Sequence, residues 1–341
     1  MPSNTAAWLT AAKSNPLEVK TAAYTSPEDH EILVKNGAVA VNPVDWKIQD
    51  RASFPLKYPT VLGQDVAGTV VEVGSAVSRF KTGDRVLGHA LGLATQKASY
   101  GGFQEYTIIS DILASQIPST LSFENAAVLP VGLSTAAAGL FQKEFLALQH
   151  PSLDAKPTGQ TVLVWGGASS VGSNGIQLAV AAGYEVLTTA SPKNFDFAKK
   201  LGASQVFDYH SKTIVADLVE ALKGKTVAGV LDAVGADGAT QKSLEILAQG
   251  EGSKVVATVL KPAEDVPAGT SAKWIRANDI KDNEVGKAVY EDFLPRALAD
   301  GKYAATPEPY VVGKGLEHVQ AGLDILKKGV SAQKVIITLQ Q

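Results

Sequence analysis

The chain has 341 residues, 45% of them hydrophobic and 19% charged, which gives room for two globular domains with ample core and excludes a disordered chain. A net charge of −3 gives no electrostatic reason to expect nucleic acid or an anionic membrane as partner. There is no cysteine, which excludes disulfides, thiolate zinc sites and a cysteine nucleophile; a reducing, cytoplasmic setting is the natural expectation.

The segment Met1–Trp8 lacks a basic region followed by an apolar core, so no signal peptide is expected. Residues 1 to about 120 read as β-rich. Glu31–Ala40 is strand-like and runs into Asn42-Pro43-Val44-Asp45-Trp46-Lys47, where Pro43 stops a regular ladder. Thr69–Val73, the stretch fed by the Gly83-Asp84-Arg85-Val86 turn, and Thr107–Ile109 are further short strands. Many short strands separated by glycine turns predict a barrel-like domain. From Ser122, a residue suited to capping, the periodicity becomes helical. The most apolar stretch, Ala126–Phe141, is interrupted by Pro130, Ser134 and Thr135, and reads as a helix joining domains rather than a membrane span.

Thr161–Trp165 is a short, β-branched, apolar run that predicts a buried parallel strand. It breaks into the small residues Gly166–Gly172, and Asn174–Ala182 then reads as a helix stopped by Gly183. Strand, glycine turn and helix together can seat a pyrophosphate on the first N–H groups of the helix. The fingerprint G-x-G-x-x-G falls on Gly167, Ser169 and Gly172, with serine for the middle glycine. Ser169 is small enough to keep the backbone close to a phosphate, and its hydroxyl can add to the contact. The next strand, Tyr184–Thr189, ends in Ser191-Pro192-Lys193-Asn194. Binding of NAD calls for an acidic residue there on the ribose 2′-OH. A hydroxyl and an ammonium suit a 2′-phosphate instead, so NADPH is the expected cofactor. Tyr209, after the strand Gln205–Phe207, can add a hydroxyl to the same phosphate.

Helices over Phe195–Leu201, Lys212–Leu222 and Ala239–Leu247 alternate with strands over Gln205–Phe207, Val227–Leu231 and Lys254–Thr258, as a doubly wound parallel sheet requires. Val285–Ala299 and Leu316–Lys328 read as helices, and Lys334–Leu339 as an alternating strand returning to the first domain. The five histidines are scattered and show no paired ligand spacing, so no metal site is expected.

With these residues in view, the chain resembles the medium-chain dehydrogenase/reductase superfamily over nearly its whole length. The resemblance rests on Leu62-Gly63-Gln64-Asp65-Val66-Ala67-Gly68, Gly83-Asp84-Arg85-Val86, the glycine fingerprint and Asp232-Ala233-Val234-Gly235, in family order. It implies an α/β protein: a GroES-like β-barrel domain from residues 1–120 and 300–341, plus a Rossmann NADP-binding domain, a doubly wound parallel sheet, from 121–299. The zinc alcohol dehydrogenases of that superfamily carry a catalytic Cys and a Gly-His-Glu where this chain has Val44-Asp45 and Gly63-Gln64-Asp65. Asn42–Lys47, Gly166–Gly172, Ser191–Asn194 and Gly329-Val330-Ser331 are instead similar to the zinc-independent quinone-oxidoreductase and enoyl-reductase branch, and most of all to fungal enoyl reductases that serve polyketide synthases. By position this implies NADP contacts from Val44, Asp45, Trp46 and Lys47, from Gly167, Ala168, Ser169, Ser170, Val171 and Gly172, from Ser191, Pro192, Lys193 and Asn194, and from Tyr209, Val234, Thr258, Val259, Val330 and Ser331. Val131, Gly132, Leu133, Ser134 and Thr135 correspond to the substrate-lining segment.

Without a metal, reduction of a C=C bond conjugated to a carbonyl is the easier chemistry. Hydride adds at the β-carbon, charge moves to the carbonyl oxygen, hydrogen-bond donors suffice to stabilise the enolate, and the α-carbon takes a proton from water or a side chain. Lys47 and Ser134 are the candidate donors, with Thr135 as a substitute; Asn42, Asp45, Gln64 and Asp65 are expected to shape the structure. The expected substrates are enones, enals, quinones or enoyl thioesters, the last on the carrier protein of a polyketide synthase. A carbonyl reductase is the second reading, and an NADPH-binding sensor or partner-binding module with little catalysis the third. Ala272–Ala277 lies where relatives pair edge strands, so either a monomer or a homodimer is expected.

Overall fold

The short β-branched runs before residue 120 pair into two sheets in the computed structural model, which describes residues 3–339. In chain order the elements are β1 (Asn4–Leu9), β2 (Glu18–Ala22), β3 (Glu31–Ala40), α1 (Pro43–Arg51), β4 (Thr60–Val61), β5 (Asp65–Val73), β6 (Arg85–His89), α2 (Gly92–Thr95), β7 (Tyr106–Ser110), β8 (Ala114–Gln116) and α3 (Phe123–Ala126). Next comes α4 (Pro130–Phe141). The alternating stretch follows: β9 (Gln160–Trp165), α5 (Ser170–Ala181), β10 (Glu185–Ala190), α6 (Phe195–Lys200), β11 (Gln205–Asp208), α7 (Ile214–Leu222), β12 (Thr226–Asp232), α8 (Ala239–Gln249), β13 (Glu251–Gly252), β14 (Val255–Thr258) and β15 (Ser271–Trp274). The chain closes with α9 (Glu284–Gly286), a π-helical segment Lys287–Phe293, α10 (Leu294–Ala299), β16 (Glu308–Lys314), α11 (Val319–Lys328) and β17 (Gln333–Thr338).

Two compact units result. The first comprises residues 1–131, 294–301 and 305–341, the second 132–293 and 302–304. In the first, β2-β1-β4 form one sheet, and β16-β17-β3-β5-β6-β8 form another in which β7 also pairs with β3. The last strand returns to the first unit, with Ile336 opposite Ala40 and Ile337 opposite Val39. Val34, Val66, Phe103, Val335 and Ile337 lie in its core. In the second unit the order β11-β10-β9-β12-β14-β15 is parallel throughout, with β13 beside β12. Renumbered within the unit this is 3-2-1-4-5-6, which reverses direction between β9 and β12. Leu163, Leu187, Val230, Leu247 and Val256 fill that core.

Four local readings of the sequence differ from the structure. Pro43 does stop the ladder, but it opens a helix rather than a loop: it is the first residue of α1, where its missing N–H costs nothing, and the Asp45 carboxylate accepts the Asn42 N–H at 2.8 Å. The helix after the glycine turn starts at Ser170, not Asn174, because Ser169 is its cap and accepts the Gly172 N–H at 3.0 Å. The apolar stretch 126–141 is divided into α3, capped by Ser122, and α4. Val285–Ala299 is interrupted by the π segment. Residues 121–131 group with the first unit, where Phe123 lies against Gly37 of β3 and the Thr338 hydroxyl of β17 donates to Glu124 at 3.1 Å, and residues 294–299 group with it too. Among the described residues no helix is long and apolar enough to cross a membrane.

Candidate active site

In the second unit, the candidate residues gather at the C-terminal ends of β9, β10, β12 and β14, where the strand order reverses. That is where open α/β sheets bind ligands. After β9, Gly167 passes so close to β10 that a Cβ would lie 2.2 Å from the Thr188 hydroxyl. Gly172 is pressed against the turn itself, with 2.1 Å from a would-be Cβ to the Gly166 carbonyl oxygen. The Gly166 and Gly167 N–H groups donate to Thr189 at 3.0 and 2.8 Å, which pins the turn to β10. Ala168, Ser169, Ser170 and Val171 are half-buried around the first turn of α5. This twelve-residue helix turns its positive end toward that turn, as an anion site requires. The cradle fits a pyrophosphate.

At the end of β10, the hydroxyls of Ser191 and Tyr209 meet at 3.0 Å. Pro192 and Lys193 are exposed beside them, and Asn194 is half-buried. The sequence held Ser191 and Tyr209 eighteen residues apart; β10 and β11 pair in parallel, Ala190 opposite Asp208, and so bring them together. After β12, one buried carboxylate orders the next two turns. Asp232 Oδ1 accepts the N–H groups of Val234 and Gly235 at 3.0 and 2.9 Å, and Oδ2 accepts the Thr240 hydroxyl at 2.6 Å and that of Thr258 at 3.3 Å. The Val259 N–H donates to the Asp232 carbonyl. Val234, Thr258 and Val259 thus share an organiser that the sequence displayed only as part of a motif.

Gly132, Leu133, Ser134 and Thr135 lie on α4. Ser134 is fully buried, and its hydroxyl lies 2.7 Å from that of Tyr290, also fully buried, in the π segment. The neighbouring Thr135 keeps 9% of its surface. A second buried pair lies in the same unit: the Tyr303 hydroxyl donates to Asn174 Oδ1 at 2.6 Å, and burial pushes that phenol well above its ordinary pKa. Asn174 in turn donates to the Ser170 carbonyl at 2.8 Å. Sequence reasoning missed Tyr290 and Tyr303, because a lone tyrosine carries no local sign of a partner 156 or 129 residues away.

In the first unit, Val44, Asp45, Trp46 and Lys47 occupy the first turns of α1, and Val131 lies in the first turn of α4. Lys47 is half-buried with its ammonium 5.8 Å from the Trp46 ring centre, and Arg51 and Lys327 flank the same ring. Val330 packs on the core and Ser331 is exposed, just past the end of α11. Beneath α1 sits a buried polar cluster. Asp65 takes the Lys334 ammonium and the Asn42 amide at 2.7 Å each, and the Val131 N–H at 2.6 Å. The Lys334 ammonium also donates to Asn42 Oδ1 at 2.6 Å. The other face of Asn42 meets Asp45, whose second oxygen accepts the Gly63 N–H at 3.2 Å. Burial pushes the Asp45 carboxyl up to about 7 and the neighbouring His89 imidazole down to about 4.

Residues 28–119 match the family model described as alcohol dehydrogenase GroES-like domain, and residues 170–294 that described as zinc-binding dehydrogenase. The chain is similar to the zinc-binding alcohol dehydrogenase domain-containing protein cipB of Emericella nidulans, 53% identical over 336 residues and covering 98% of each chain. It is also similar to the trans-enoyl reductase himH of Aspergillus japonicus, 43% identical over 340 residues, 99% of this chain and 98% of the relative. Among solved structures, that of Escherichia coli quinone oxidoreductase complexed with NADPH superposes with a TM-score of 0.72 at 22% identity, over 99% of this chain and 100% of that one, a likeness of fold. The residues present do not suit the zinc that one family description names. Among the described residues no group of three or more His, Cys, Asp and Glu could hold a metal ion, and the carboxylate of Asp65 is already engaged by Lys334, Asn42 and Val131.

Proposed function

Because the chain belongs to the medium-chain dehydrogenase/reductase superfamily, among oxidoreductases that include enoyl and quinone reductases, we propose that it is an NADPH-dependent reductase of activated C=C bonds, acting on an enone, enal, quinone or enoyl thioester. The observation that carries the cofactor reading is the pair of hydroxyls at the end of β10, Ser191 and Tyr209 at 3.0 Å, with Lys193 beside them and no acidic residue in Ser191–Asn194. A carboxylate there would repel a 2′-phosphate; hydroxyls and an ammonium bind it.

NADPH, when bound, supplies a hydride. The chain's own residues do the rest. The glycine turn and the first turn of α5 hold the pyrophosphate, and the turns ordered by Asp232 bring Val234, Thr258 and Val259 to the same sheet end. Val44–Lys47 and Val330–Ser331 are proposed contacts to the cofactor from the first unit. Lys47 is the proposed donor to the charge that develops on the substrate oxygen, where an ammonium stabilises an enolate without a metal. Ser134 and Thr135 are the hydroxyl candidates on α4. Since the Ser134 hydroxyl is bonded to that of Tyr290, these two act as a unit, and Thr135 is the more open of the α4 pair. Similarity to a relative named trans-enoyl reductase favours an enoyl substrate. An acyl thioester presented by a polyketide synthase carrier, and a cytoplasmic enzyme acting as monomer or homodimer, complete the proposed reading.

The test is NADPH oxidation against an enone, an enal, a quinone, a simple ketone and a crotonyl thioester, each repeated with NADH. Turnover of the conjugated substrates but not of the ketone, with NADPH preferred, is the expected result. Reduction of the ketone alone would overturn the reading in favour of a carbonyl reductase.

A further inference from the structure

The cluster beneath α1 joins four elements through one charge pair. Lys334 comes from β17, Asp65 from the start of β5, Asn42 and Asp45 from the cap and first turn of α1, and Val131 from the first turn of α4. Lys334 is 5% exposed and Asp65 not at all. Asn42 uses both ends of its amide, giving to Asp65 and accepting from Lys334, while its backbone N–H donates to Asp45.

A buried ion pair is a poor source of stability, because the cost of removing both ions from water offsets most of their attraction. Apolar side chains packed between the same strands give as much. What the pair adds is direction: an ammonium and a carboxylate at 2.7 Å, each with further fixed partners, allow one register of the four elements. Two of these elements bear residues to which the proposed function gives chemical roles. Lys47 lies two residues beyond Asp45 on α1, and Val131 starts the substrate segment on α4.

We propose that Lys334 and Asp65 are a positioning pair for the reaction, a fixed internal charge pair that sets the register of α1, and with it Lys47, and of the first turn of α4. This rests on the proposed reductase function for its link to turnover, but not for its effect on α1. The chemistry stays with Lys47 and the α4 hydroxyls; Lys334 acts through them.

The informative variant is the double Asp65→Asn/Lys334→Gln. It removes both charges of the pair together and keeps an oxygen to accept the Val131 N–H. Three readouts are compared with wild type: the thermal midpoint, hydrogen exchange of the α1 amides, and kcat and KM for an enone. The expected result is a thermal midpoint near wild type, α1 amides exchanging about tenfold faster or more, and kcat lowered about tenfold or more with KM little changed, since a displacement of about 1 Å costs this much. Lys334→Arg, which keeps the charge, is expected to recover most of the kcat that Lys334→Gln loses. Wild-type kcat and wild-type α1 exchange in the double variant would overturn the proposal, as would a kcat that only follows the thermal midpoint across the series. If the double variant does not fold, the Arg and Gln variants of Lys334 decide: equal kcat in the two overturns the pair's role. If the wild type reduces no conjugated alkene, the function reading fails on its own, and α1 exchange with the NADPH dissociation constants of the variants still decides whether the pair positions α1.

Discussion

In the proposed reading, a single ammonium and two hydroxyls select the cofactor at the end of β10. Lys193 is exposed and Ser191 meets Tyr209, so the group they would bind must be anionic and reach them from solvent. Replacing Lys193 with aspartate removes one charge-assisted contact and adds a repulsion. Hydrogen bonds to charged groups contribute about 1.5–3 kcal/mol, so KM for NADPH is expected to rise roughly 10- to 100-fold while that for NADH changes little; steady-state kinetics with both cofactors measures it, and a parallel change in both would refute the assignment. This candidate arrangement was legible in the sequence, because Ser191 and Lys193 lie in one turn. Lys334 and Tyr290 were not. Their partners Asn42 and Ser134 are 292 and 156 residues away, and nothing near either residue marks it as buried.

At the level of elements, the sequence showed the kinds of segment better than their ends. In the sequence the glycine turn after β9 runs to Gly172, but the helix already begins at Ser170. The cause is Ser169, which stands at the middle glycine of the fingerprint and uses its hydroxyl to cap α5. It was expected to add to a phosphate contact; in the structure that hydroxyl is engaged with the Gly172 N–H. The glycine at 172 itself is required by space, since a Cβ would meet the Gly166 carbonyl oxygen at 2.1 Å and backbone atoms cannot turn aside as a side chain does. Gly172→Ala is therefore expected to push the turn open and weaken NADPH binding about tenfold or more, read by fluorescence titration, while β9 and α5 persist. Unchanged affinity would show that the pyrophosphate does not use this turn. The helix α1 was hidden for a related reason: Pro43 reads as a strand breaker, and only Asn42 and Asp45 at the proper spacing show that it also starts a helix.

For the molecule as a whole, the alternation of strand and helix after residue 160 made the second unit readable, because each segment carries its own period. The way β17 returns to β3 was harder to see in detail, since the pairing of Ile336 with Ala40 leaves no local trace. Global stability should carry the mark of two buried groups in the first unit that oppose each other. Asp45, raised from 3.8 to about 7, binds its proton more tightly folded than unfolded, so it favours the fold at low pH and this contribution is lost as pH rises through that window. His89, lowered from 6.5 to about 4, does the reverse: it favours the fold at higher pH, and the contribution is lost as pH falls from about 6.5 to 4. The two largely offset in wild type. Asp45→Asn should therefore become more acid-sensitive than wild type between pH 6.5 and 4, and His89→Gln less so, as measured by urea midpoints across that range. Identical pH slopes in the two variants would refute the opposition.

The π segment Lys287–Phe293 spaces its hydrogen bonds one residue wider than an α-helix does, and Tyr290 lies within it. A single residue accounts for about 100° of rotation along a helix. The meeting of Tyr290 with Ser134 at 2.7 Å is therefore a matter of counting as much as of chemistry. A chain one residue shorter here would carry the side chains beyond the deletion round by about 100° and turn a different one toward Ser134. Segment length at this point thus specifies the buried hydroxyl pair as firmly as the identity of the tyrosine does.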